Sequence, residues 1–104
     1  MKFSNYGFIM IDPSYTEEQS TALKANGFTT TVYCVQDINM ACKAAKKLQD
    51  KRVHLIELCG AFNDEMVTQI IEAVDGKVPV GNIAMRPEES EKFMSFLNKE
   101  PSLT

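Results

Sequence analysis

Two hydrophobic periods alternate along the chain. Phe8-Ile9-Met10-Ile11 is an unbroken apolar run stopped by Asp12-Pro13, the pattern of a strand buried on both faces. Phe28 to Val35 is rich in Thr, Val, Phe and Tyr and reads as a second strand, with one side more polar than the other. Val53 to Leu58 reads as a third, ending at Cys59-Gly60-Ala61, and Lys77 to Ala84 as a fourth. Pro79 cannot donate to a ladder, which places that fourth strand at an edge or puts Pro79 at its first positions.

Helical spacing fills the intervals. Thr16-Glu17-Glu18-Gln19 fits a capping box, opening a helix that runs to Asn26 with Gly27 as a left-handed terminator. Its apolar face is poor, only Ala22, Leu23 and Ala25. Asp37 caps a second helix on which Ile38, Ala41, Cys42, Ala45 and Leu48 share a face. Asn63 caps a third, with Met66, Val67, Ile70, Ile71 and Val74 as its stripe and Gly76 at its end. Pro87 at the first helical position and Glu88-Glu89 in the first turn open a fourth, with Pro101 past its end.

Each interval between strands thus holds a helix, so the strands should run parallel with right-handed crossovers. The expected fold is α/β: a three-layer αβα sandwich over residues 1–104 as one domain, its four-stranded parallel sheet in the flavodoxin-like order 2-1-3-4. A chain of 104 residues has room for one such domain and not for two.

Charge and cysteine usage narrow the function classes. Lys+Arg 11 against Asp+Glu 14 gives a net charge of −3, which argues against nucleic acid and anionic membranes as partners. Three cysteines (Cys34, Cys42, Cys59) without a C-x-x-C spacing read as a reducing compartment rather than a disulfide scaffold. With no signal-peptide pattern and no long apolar run, the expected location is cytoplasmic. The surplus of large apolar residues on the last helix, Phe93, Met94, Phe96 and Leu97, points to a homo-oligomer, dimer or higher.

In an open parallel sheet, ligands bind beyond the carboxyl ends of the strands where the strand order reverses. For the expected order that point gathers Asp12 and Ser14 after the first strand, and Glu57, Cys59, Gly60, Ala61, Phe62 and Asn63 around the end of the third. The fourth strand adds Asn82 and Arg86. Glu57 interrupts an apolar run, where a carboxylate is costly unless paired. It is either an acid, base or polar anchor, or a carboxylate bonded to backbone or to a subunit neighbour. Cys59 stands where a helix N-terminus can lower a thiol pKa, but free Cys is also simply a common small buried residue, the more frequent case. The segment Gly60-Ala61-Phe62-Asn63 is neither a Walker A loop nor G-x-G-x-x-G. With Asp-Pro-Ser after the first strand, NAD and FMN are not expected, and no cofactor is assigned. Asp12, Glu57, Cys59 and His54 do not form a metal set, so no metal is expected.

Ile56-Glu57-Leu58-Cys59-Gly60-Ala61-Phe62 and Glu72-Ala73-Val74-Asp75-Gly76-Lys77-Val78-Pro79-Val80-Gly81 resemble a family of bacterial proteins of this length known only as a domain of unknown function. That family often continues the fourth strand as Gly-Val-Val-Arg, from which Gly81-Asn82-Ile83-Ala84-Met85-Arg86 departs. The resemblance implies a small cytoplasmic bacterial α/β protein and assigns no catalytic residues. The leading expectation is binding of a small polar or anionic metabolite at the carboxyl end of the third strand. The alternatives are a protein-interaction or regulatory subunit, and a cofactor-independent isomerase or lyase in which Glu57 and Cys59 exchange protons with substrate.

Overall fold

The computed structural model describes residues 1–99; Pro101 lies outside them. Five strands and three helices follow in the order β1 (Asn5–Ile11), β2 (Gln19–Ala25), β3 (Phe28–Val35), α1 (Ile38–Asp50), β4 (Leu55–Leu58), α2 (Asp64–Ala73), β5 (Val80–Asn82) and α3 (Pro87–Leu97). They form one α/β sheet in the order β2-β3-β1-β4-β5. β1 pairs in parallel with β3 and β4, and β4 with β5. β2 alone is antiparallel, against β3.

The main correction concerns residues 16–26, expected as a helix, of which Gln19–Ala25 form the strand β2. Asn26-Gly27 is not a helix terminator but the tip of a β2–β3 hairpin, with Ala25 opposite Phe28 and Gly27 at φ +87°. That conformation costs glycine nothing. The candidate helix had too little apolar surface to be held by packing, whereas β3 offered a full edge of hydrogen bonds. All seven β2 residues are exposed, as suits a polar edge strand. The sheet is therefore five-stranded and mixed, not the four-stranded parallel sheet expected.

Local capping elsewhere follows the chemistry of the side chains. The Asp37 carboxylate accepts from the Met40 N–H at 3.0 Å, and the Asn63 side chain from the Met66 N–H at 2.9 Å. Each satisfies an amide the first helical turn leaves free. Pro79 precedes β5, and its carbonyl accepts from the Ile56 N–H at 3.0 Å, so the proline costs the ladder nothing.

Among the described residues the third expected layer is not found either. Helices α1 and α2 lie side by side on one face, where the Gln49 amide donates to the Val74 carbonyl at 3.3 Å. Gly7, Ile9 and Ile11 of β1, Tyr33 and Val35 of β3, and Ile56 and Leu58 of β4 point to that side and are buried. Against them pack Ala41, Ala44, Ala45 and Leu48 of α1 and Val67 and Ile70 of α2. The alternate residues Tyr6, Phe8, Met10, Val32, Cys34, Leu55 and Glu57 are only half-buried. Among the described residues no helix lies over them. A right-handed crossover from β1 outward to β3 would have put a helix there, but that connection is β2, lying in the plane of the sheet. α3 has no buried residue and shares no extended packing surface with any other element. The radius of gyration, 15.2 Å, exceeds the roughly 13 Å of a compact chain of this length.

Candidate functional site

β1 is flanked by β3 on one side and β4 on the other, so the loops after these strands diverge. They leave a cleft of about 400 Å³ at the carboxyl ends of the strands. Ile11, Asp12 and Pro13 form one wall, Gln36, Asp37 and Ile38 the second, and Ala61 and Met66 the third. The chain reverses so sharply after β1 because Asp12 folds back on its own backbone. Its Oδ2 accepts from the Ser14 N–H at 2.9 Å, and its carbonyl from the Tyr15 N–H at 3.1 Å. The Ser14 amide and hydroxyl hold the Asp12 carboxyl below the usual carboxylate range. The Gln36 amide donates to the Pro13 carbonyl at 3.1 Å and ties two of the walls together.

The expected site residues divide among several places. Asp12 and Ala61 meet in the cleft. Ser14 serves the Asp12 turn through its amide. Asn63 is the cap of α2, and Phe62, only 3% exposed, is core. Gly60 is exposed beside the Ile83 carbonyl, 3.5 Å from where a Cβ would sit. Asn82 is exposed at the end of β5, and Arg86, also exposed, stands 4.0 Å from Glu88 at the start of α3.

Glu57 is not at the cleft mouth. It lies on the open face of the sheet, where the Tyr6 hydroxyl donates to its Oε1 at 2.7 Å. Gly81 of β5 makes room beside it, 3.6 Å separating the Glu57 Oε2 from the place a Cβ would occupy. Burial, the hydrogen bond to Glu57 and the nearby carboxylate together push the Tyr6 phenol up to about 12. The Cys59 sulfur accepts from the Ile11 N–H at 3.4 Å and packs partly against the core. Glu57 and Cys59 thus answer to different partners.

Sequence reading passed over Tyr6, because the strand register is what brings it to Glu57. In the parallel register Phe8 stands opposite Glu57 and Tyr6 opposite Leu55, so Tyr6 is the diagonal neighbour on the same face, within reach of a long side chain. Asp37, Ile38 and Met66 read as cap and stripe residues. They line the cleft because the first turns of α1 and α2 both begin at its rim.

Among the described residues no three His, Cys, Asp or Glu side chains are grouped to hold a metal ion, and no helix is long and apolar enough to cross a membrane. Comparison with curated proteins and with solved structures finds no match. Residues 4–98 match the model of a family of unknown function, DUF6506, and the chain belongs to that family.

Proposed function

We propose that this protein is a small-molecule-binding module whose ligand sits in the cleft between the first turns of α1 and α2. The observation that carries the reading is the cleft itself. At about 400 Å³ it falls within the ~300–1,000 Å³ typical of small-ligand sites, and it opens at the carboxyl ends of the strands, where such sheets bind ligands. Ile11, Pro13, Ile38, Ala61 and Met66 give it an apolar interior.

Electrostatics select the ligand's charge. Each helix N-terminus contributes about +0.5 of an elementary charge, and the two ends at the rim sum to about one. The two carboxylates there, Asp12 and Asp37, carry about −2 at neutral pH. The negative charge wins, and Asp37 already occupies part of the α1 amide field through its bond to Met40. The ligand that fits is neutral or cationic, with an apolar body and a donor group for Asp12, which keeps the polar half of the expected polar or anionic metabolite and drops the anionic half.

A thermal-shift screen of amines, neutral amino-acid derivatives and carboxylates tests this. Saturating ligand at 100 Kd adds about 2.7 kcal/mol to stability, a shift of several degrees. Amines or neutral compounds should raise the melting temperature of the wild type and not of Ala61→Trp, which fills the cleft. Stabilisation by carboxylates alone, or stabilisation unaffected by Ala61→Trp, would sink the proposal.

A further inference from the structure

We propose that a second copy of this chain covers the open sheet face, each copy laying its α3 across the other's strands in a reciprocal exchange. Two unsatisfied surfaces on one chain carry the idea. α3 has 11 residues, and isolated helices shorter than ~12–15 residues are marginal in water, their stability in proteins coming from packing of an apolar face. Yet Phe93, Met94, Phe96 and Leu97 are 47–59% exposed. Phe93, Phe96 and Leu97 recur at positions i, i+3 and i+4, one face of the helix, and among the described residues no other strand or helix packs extensively against it; the nearby group is Lys99, whose Nζ lies 5.9 Å from the Phe96 ring centre.

The receiving surface is the sheet face that β2 leaves bare. Phe8, Met10, Val32 and Leu55 form its apolar centre, and its one formal charge among the central strands, Glu57, is bonded by Tyr6. At 1.5 Å per residue α3 is about 16 Å long. Five strands about 4.8 Å apart span roughly 20 Å, so the helix fits within the sheet.

The strap between β5 and α3 decides between a chain's own α3 and a neighbour's. Ile83 to Arg86 contains no glycine, and Arg86 precedes Pro87, a position pushed to extended backbone. It is extended here, φ −63° and ψ 146°. Reversal onto the chain's own open face would need a tight turn in four residues that favour none. A rigid outward strap is instead the geometry of segment exchange.

The area suffices. An aromatic side chain carries on the order of 200 Å², so Phe93 and Phe96, 47% and 59% exposed, leave roughly 200 Å² between them. Met94, Leu97, Met85 and Ile83, 46–56% exposed, bring each arm to about 500–600 Å². Two arms and the sheet surface they cover come to about 2,000 Å², at the upper end of standard stable interfaces.

The full chain, measured by light scattering at tens of micromolar and by hydroxyl-radical labelling, tests this. The expected mass is twice the 11.7 kDa of the chain, with Met10 and Met94 both protected. Phe93→Glu/Phe96→Glu on the arm and Val32→Lys on the face should each halve the mass and raise Met10 labelling several-fold. An equimolar mixture should regain the dimer, because one intact arm then meets one intact face and the Glu-bearing arm meets the Lys-bearing face. Variants that merely unfold cannot complement one another. A monomeric wild type overturns the proposal even if Met10 is protected, since the chain's own α3 then closes the face. So does a dimer that survives both variants.

Discussion

At Gly7 the Leu48 side chain of α1 packs directly against β1, and Gly7→Ala tests the packing of the covered face. A Cβ at Gly7 would stand 2.9 Å from Leu48 Cδ1, 3.0 Å from Cδ2 and 3.3 Å from Cγ. Leu48 is fully buried, so relief requires its whole isobutyl group to move within packed surroundings. Overpacking of this kind costs about 1–3 kcal/mol. The lower chain entropy of alanine in the unfolded state returns about 0.4–1 kcal/mol, leaving a net loss of about 1–2 kcal/mol. Urea unfolding followed by far-UV circular dichroism reads it directly. With a slope of about 1–3 kcal/mol/M, the midpoint should fall by about 1 M at unchanged slope, protein concentration being held fixed because association shifts midpoints. Leu48→Ala alone should cost about 3 kcal/mol or more. The double variant should cost less than the two singles together by at least about 1 kcal/mol, because the new methyl enters the space the leucine vacates. A midpoint raised by Gly7→Ala, or simple additivity with Leu48→Ala, would refute the docking of α1 on this face of β1, and with it the assignment of the other face as open.

Two further outcomes follow from local chemistry. Tyr6 should ionise late in an absorbance titration, near pH 12 against an ordinary value of 10. A raised pKa means the folded state holds the proton more tightly, so the stabilisation is fully present below pH 10 and is lost as pH rises through about 12. Tyr6→Phe should abolish the late phase and Glu57→Gln should move it earlier; a Tyr6 transition unmoved by Glu57→Gln would contradict the pairing. Asn63→Ala removes the acceptor for the Met66 amide and should lower stability by about 1 kcal/mol. No change in urea midpoint would show that water caps α2 equally well.

Much of the fold can be read locally. The apolar runs of β1 and β4, the Thr- and Val-rich β3, the capping oxygens of Asp37 and Asn63 and the proline opening α3 each announce their element within a few residues. The loops that line the cleft are legible for the same reason, since strand ends and helix starts adjoin in sequence. The place of Glu57 is not legible in the sequence, because its partner Tyr6 reaches it only through strand pairing.

Residues 16–26 mark the limit of the local reading. Capping-box chemistry at Thr16–Gln19 suits a helix start, whereas Asn26-Gly27 suits a helix end or a hairpin tip alike. The edge of β3 decided it, offering hydrogen bonds along a whole strand to a segment with little apolar surface to bury as a helix. From that one pairing came the extra strand, the loss of the helix that a right-handed crossover would have laid on the second face, and the incomplete burial of Phe8, Met10, Val32 and Leu55. The chain by itself determined which segments become β1, β3, β4, β5 and the three helices, because caps, prolines and hydrophobic periods act over a few residues. Which sheet face is left open was decided only by tertiary structure, because strand pairing and crossover handedness join segments that sequence keeps apart.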